Sequence, residues 1–207
     1  MRRTLPPVKS ENRILVICEG SEEYDYFDSL IKCRLWKHHI KLKNAESIDR
    51  IAPLYEYIYQ NNNYKLVIIF CDTEKAPYTK FQAMKSKINA FHANHAADSI
   101  VFFANPCTMQ IILSHFDKVS LKSNSKSDNA NLIKKLAGIE EYKATEKQRK
   151  SLMNQIDRRN YLNMKENLKV LSTDYTVIPS TNVLILFSQL EKGDNKWLID
   201  INKKIAK

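Results

Sequence analysis

Four side chains able to do chemistry follow directly on apolar, strand-like runs. Glu19 follows Arg13-Ile-Leu-Val-Ile-Cys18, Asp72 and Glu74 follow Lys65-Leu-Val-Ile-Ile-Phe-Cys71, and Asn105 follows Ser99-Ile-Val-Phe-Phe-Ala104. In a parallel α/β sheet, ligands bind outside the carboxyl ends of the strands, so these positions are the ones to examine. Asp72 and Glu74 lie two apart and point to one side if strand geometry persists through them. Carboxylates gathered at one sheet edge repel each other unless a cation or protons intervene. Hard oxygen donors suit Mg²⁺ or Mn²⁺, which keep several waters and take phosphate oxygens in the remaining positions. Phosphodiester cleavage uses such an arrangement, with a metal against the scissile phosphate and a basic surface holding the backbone. Each residue also has a plainer reading. Asp72-Thr-Glu74 could cap the next helix, Asn105 could cap a helix opening at Pro106, and Glu22 and Glu23 answer the positive end of a helix.

The elements that would carry these side chains alternate. Residues 13–18, 65–71 and 99–104 read as buried strands, and 39–43, His-Ile-Lys-Leu-Lys, as a short edge strand. Between them lie helical patterns: Tyr24, Phe27, Leu30, Ile31 and Leu35; then Ile48, Ile51, Leu54, Tyr55 and Ile58, closed by a turn at Asn61-Asn-Asn63; then Phe81, Met84, Ile88 and Phe91. Pro106 suits the first turn of a helix carrying Met109, Ile112, Leu113 and Phe116. This order predicts an α/β fold with a mainly parallel central sheet and helices on both faces. After Phe116 the character changes. Residues 120–131 read as a flexible loop, 131–142 and a long stretch 145–170 as helices, 174–179 as a last strand and 181–190 as a helix. The division is thus an α/β core over 1–117 and a basic, mostly helical region over 118–207 packing on the same domain.

Charge follows that division. The chain carries 33 Lys+Arg against 23 Asp+Glu, a net charge of +10, of which residues 1–117 hold +2 and residues 118–207 hold +8. Such an excess favours a polyanion such as nucleic acid, and reads equally as a lysine-rich solvated surface. Three glycines in 207 residues exclude the glycine-rich phosphate loops of common ATPases and dinucleotide enzymes. Cys18, Cys33, Cys71 and Cys107 have no paired metal spacing. The start, Met1-Arg-Arg-Thr-Leu-Pro-Pro, lacks the apolar core of a secretory signal, and no apolar run reaches the ~18 residues of a membrane span. These features predict reduced thiols in a cytoplasmic protein without a membrane partner.

The ordered set of motifs resembles one family. Ile14-Leu-Val-Ile-Cys-Glu-Gly-Ser-Glu-Glu23, Val67-Ile-Ile-Phe-Cys-Asp-Thr-Glu74, Ala104-Asn-Pro-Cys-Thr-Met109, Ser114-His-Phe116 and Ile178-Pro-Ser-Thr-Asn-Val183 are similar to the RloB-like proteins. These are small Toprim-domain proteins of restriction-associated and abortive-infection loci. The resemblance spans roughly residues 12–190. It implies a Toprim-like core with a metal-dependent phosphotransfer site. Glu19 would be its acid/base residue, Glu23 the second Glu of the EGxxE element, and Glu19, Asp72 and Glu74 the ligands of Mg²⁺ or Mn²⁺. Glu74 replaces the second Asp of the DxD pair, and Met109 stands where the family commonly has an acidic residue. The resemblance also implies a partner ATPase encoded nearby. On this reading the protein is a nuclease acting on DNA or RNA in anti-phage defence, with Arg149, Lys150, Arg158 and Arg159 on the phosphate backbone. Asn105 and His115 would support the site from behind, His115 reading equally as a core residue. A degenerate scaffold serving a defence ATPase is the alternative, and homo-oligomerisation stays open.

Overall fold

The computed structural model describes residues 13–61 and 64–206. Asn62 and Asn63 of the expected turn, the amino-terminal segment and Asn12 at the start of the resemblance lie outside the described residues. The elements run β1 (Arg13–Cys18), α1 (Ser21–Lys32), β2 (His39–Asn44), α2 (Ile48–Asn61), β3 (Leu66–Asp72), α3 (Thr79–His92), α4 (Ala97–Ile100), β4 (Val101–Asn105) and α5 (Met109–Leu113). They continue through α6 (Lys126–Ala137), α7 (Glu146–Met153), α8 (Arg158–Leu168), β5 (Ser180–Thr181), α9 (Val183–Lys192) and α10 (Lys196–Ile205). None of these helices is long and apolar enough to cross a membrane.

The sheet order is β2-β1-β3-β4-β5. The first four strands are parallel and β5 is antiparallel to β4, so the protein is α/β with a mostly parallel sheet. β1, β3 and β4 are apolar apart from Arg13, Asp72 and Asn105 at their ends, because both faces are covered. β2 alternates, with Ile40 buried and Lys41 and Lys43 exposed, and these lysines guard the open edge. Right-handed crossovers place α1 on one face and α2 and α3 on the other. Phe27 of α1 stacks on Phe70 of β3 and Phe187 of α9, while on the opposite face Phe81 of α3 packs on Phe103 of β4 and Tyr175.

The carboxyl-terminal helices are fastened to this core. Ser29 Oγ donates to the Met153 carbonyl at 3.0 Å, and Asn167 Nδ2 donates to the Ser114 carbonyl at 2.8 Å. One continuous apolar cluster runs from Ile14 through Leu152 and Met164 to Ile205.

Several boundaries differ from the sequence reading. The stretch 145–170 is two helices, because the Asp157 carboxylate caps α8 by accepting from Arg159 N and Asn160 N at 2.8 Å each. Ser125 likewise caps α6, which opens at Lys126 inside the expected loop. Residues 174–179 are turns, and the last strand is only Ser180–Thr181. α10 went unread although Trp197, Leu198, Ile201 and Ile205 carry a helical spacing. Pro106 does not open a helix: Asn105–Pro106 is a cis peptide, and α5 begins at Met109.

Next to β5, a side chain continues the work of the strand. Asn182 Oδ1 accepts from Phe103 N at 2.8 Å and its Nδ2 donates to the Val101 carbonyl at 3.0 Å, satisfying the edge of β4. Asn182→Ala leaves both backbone groups without these partners, and a loss of about 1–3 kcal/mol is expected in urea unfolding. An unchanged midpoint would show that Asn182 does not hold that edge.

Candidate active site

Three carboxylates meet where β1 and β3 end. Glu19 follows the last residue of β1, and its N–H still bonds the Phe70 carbonyl at 3.1 Å, extending the ladder by one residue. Its Oε2 accepts from Asp72 N at 2.9 Å. Asp72 closes β3, and its Oδ1 accepts from both Thr108 N and Thr108 Oγ1 at 2.7 Å. Glu23 lies in the first turn of α1, buried, with Oε2 accepting from Gly20 N at 2.9 Å. The glycine of the EGxxE element has a packing reason: a Cβ at position 20 would press on Glu23 Oε2 at 3.1 Å.

The field of this group is strongly negative. Burial and then the neighbouring Glu23 push the Glu19 carboxyl up to about 8, against the donation from Asp72 N. Burial, then Glu23 and Glu19, raise Asp72 well above the usual carboxylate range despite the Thr108 bonds. Burial and then Glu22 raise Glu23. The thiols of Cys18, Cys71 and Cys107 are pushed up chiefly by burial, which makes them poor nucleophiles, and all four cysteines are free.

Asp72 and Glu23 open onto a cleft of about 290 Å³. One wall is the strand-end side, with Gly20, Glu22, Cys107 and Met109; the other comes from α6 and the approach to α7, with Lys126, Asn129, Tyr142 and Arg149. Tyr142 Oη donates to Glu22 at 2.5 Å. Met109 therefore presents a thioether on the wall where the family resemblance implies a carboxylate.

Glu74 is placed differently from the expectation. Strand geometry stops at Asp72, and Glu74 takes a left-handed backbone with φ of 60°, so the two do not alternate as strand residues. Glu74 lies outside the cleft lining, 3.8 Å from Lys80 Nζ, on the side of Glu19, whose carboxyl it helps to raise.

Asn105 is not beside the carboxylates. It is fully buried, and its Nδ2 donates to the Tyr175 and Val177 carbonyls at 2.7 and 3.0 Å, pinning the turn that leads into β5. β4 and β5 pair Asn105 with Ser180, and Asp72 pairs with Ala104, so Asn105 faces away from Asp72. His115 is also a core residue. Its Nε2 meets Tyr26 Oη at 3.0 Å and its Nδ1 meets Asn160 Oδ1 at 3.1 Å, joining α1 to α8, and burial lowers it to about 4.

The four basic residues do not form one stripe. Arg149 Nε is bound to Asp25 at 2.6 Å and Nη1 to the Ala144 carbonyl at 2.6 Å, although the residue lines the cleft. Lys150 pairs with Glu146 and faces a separate hollow with Asp28 and Lys32. Arg158 caps the carboxyl end of α1 through the Cys33 and Arg34 carbonyls at 3.1 and 2.9 Å. Arg159 is exposed. The break at Asp157 separates the two pairs, and even one continuous helix would set Arg149 and Arg158, nine residues apart, on opposite faces. Thr108, Tyr142 and Lys126 escaped the sequence reading; only the position of Thr108, three residues after Asn105, carried a local signal.

As positioned, no three His, Cys, Asp or Glu among the described residues form a group that could hold a metal ion. The donor chemistry of Asp72, Glu19 and Glu23, oxygen only and desolvated, is of the type that hard divalent cations take. Mg²⁺ commonly takes one or two carboxylates and completes its shell with water and phosphate. Comparison with protein-family models, curated proteins and solved structures gives no match for this chain.

The raised Glu19 carboxyl fixes the sign of a pH effect. From its usual value of 4.5 up to about 8 the folded chain holds a proton that the unfolded chain has lost, so stability falls as pH rises through that window and levels above it. Glu23 and Glu74 raise the Glu19 carboxyl beyond the effect of burial, while the Asp72 N–H and Lys80 oppose the rise. In metal-free buffer, thermal midpoints should drop between pH 5 and 8, and Glu19→Gln should flatten that drop. A drop equal in both proteins would remove Glu19 as its origin.

Proposed function

We propose that the protein is a Toprim-type, metal-dependent nuclease that cleaves phosphodiesters in anti-phage defence. The observation that carries this reading is the convergence of Glu19, Glu23 and Asp72 at the carboxyl ends of β1 and β3, beside a cleft with a cationic second wall. Carboxyls pushed up by burial and by Glu23 beside a cleft are the kind of groups found at functional sites.

Asp72 and Glu19 would hold Mg²⁺ or Mn²⁺, which when bound polarises the phosphate. Thr108 fixes Asp72 Oδ1, and Asp72 lines the cleft. Glu19, hydrogen-bonded to Asp72 N, would take the acid/base part that the family resemblance implies. Glu23, buried and bonded to Gly20 N, adds a negative field to the burial that raises the Glu19 carboxyl. Glu74 adds to this field from outside the cleft, with Lys80 as its counter-charge.

Met109 favours a second reading. It is 3% exposed and lines the wall of the cleft, where an acidic residue would supply a second metal, so the chain could serve as a phosphate-binding subunit of a defence ATPase. The sequence holds no glycine-rich phosphate loop, so on this reading an ATP-driven step of that kind would fall to the partner ATPase.

The two readings separate in one assay. With Mg²⁺ or Mn²⁺, Asp72→Asn and Glu19→Gln should each lower cleavage of labelled DNA or RNA by about 10² or more while thermal midpoints hold or rise. Cleavage by both variants at the wild-type rate would overturn the nuclease reading. Calorimetry on the same proteins should show divalent binding by the wild type that Asp72→Asn weakens.

A further inference from the structure

The cleft contains one cation that the fold does not use. Arg149 is consumed by Asp25 and the Ala144 carbonyl. Lys126, the first residue of α6, lines the same cleft, is exposed, and among the described residues has no ion-pair or hydrogen-bond partner for its ammonium group. An uncompensated lysine facing Asp72 and Glu23 across a cleft is arranged for a group that is negative toward lysine and tolerates carboxylates through a cation. A phosphate diester with a divalent ion meets both conditions.

The size and lining of the cleft narrow the ligand further. About 290 Å³ lies at the small end of ligand sites, roughly enough for one nucleotide. A base pair with its two backbones exceeds that volume, so a duplex does not enter. Cys107, Met109 and Ile133 make part of the lining apolar, which suits a sugar and base more than bare phosphate.

We propose that this cleft takes a single-stranded or terminal nucleotide, and that Lys126 holds its phosphate opposite Asp72. The proposal rests on the reading of the carboxylates as a phosphate-handling site and adds the substrate form and a binding residue.

Binding and cleavage are measured separately on the full chain. A fluorescein-labelled oligothymidylate is titrated in Ca²⁺ and followed by anisotropy, with unlabelled oligothymidylate or covalently closed duplex plasmid as competitor at equal phosphate. The single strand should compete about tenfold better per phosphate than the closed duplex. Lys126→Ala should weaken single-strand binding about tenfold and lower the salt slope by about 0.7, whereas Lys203→Ala on α10 should change neither. Equal competition by closed duplex, no binding of the single strand, or no effect of Lys126→Ala would each overturn the inference. Cleavage of both nucleic acids in Mg²⁺ is then scored. Lys126-dependent binding without cleavage removes the nuclease reading and keeps this one; equal cleavage of strand and closed duplex removes this one and keeps the nuclease.

Discussion

Desolvated carboxyl groups at the ends of β1 and β3 are the constraint around which the rest of the molecule is arranged. Burial raises Glu19, Glu23 and Asp72, Glu23 adds to the rise of the other two, and each is held by donors that the fold must supply: Asp72 N, Gly20 N, and the N–H and hydroxyl of Thr108. Three of these four donors are backbone or backbone-adjacent groups at element termini, where N–H groups have no partner within a helix or ladder. The site is therefore built from the loose ends of secondary structure, and the parallel order of β1 and β3 brings those ends together.

This arrangement gives the carboxyl-terminal region two tasks with opposite charge logic. Several of its basic residues serve the chain itself. Arg158 closes the carboxyl end of α1, Arg149 neutralises Asp25, and Lys165 pairs with Glu191 at 2.6 Å. A net charge of +8 over residues 118–207 thus overstates what is free to meet an external polyanion. What the region adds to the site is shape: α6 and the approach to α7 turn an open sheet edge into a cleft.

Most of the core was legible in the residues. Buried strands read as uninterrupted β-branched and aromatic runs, and the two open strand ends announced themselves by acidic residues after Cys18 and Cys71. Side-chain direction was less legible. The spacing of Asp72 and Glu74 implied one face only while strand geometry lasted, and it ends at Asp72. Asn105 and His115 carry polar chemistry at suggestive positions, yet the pleat turns Asn105 to the far face and burial makes His115 a neutral joint between Tyr26 and Asn160. Capping by Asp157 was written in the sequence, but a run of helix formers on either side concealed it.

By itself the sequence determined the α/β alternation, the acidic residues at strand ends, the uneven charge and the lack of a glycine-rich phosphate loop. Those properties depend on residue type, periodicity and local propensity. Tertiary structure alone decided that Glu23 rather than Glu74 joins Glu19 and Asp72, that Thr108 anchors Asp72, that Arg149 and Arg158 are spent on internal contacts, and that Lys126 reaches the cleft. The physical reason is range. Each of those outcomes depends on groups far apart in the chain, or on a backbone angle at one residue, and no short-range pattern of side chains encodes which distant partner a charge will meet.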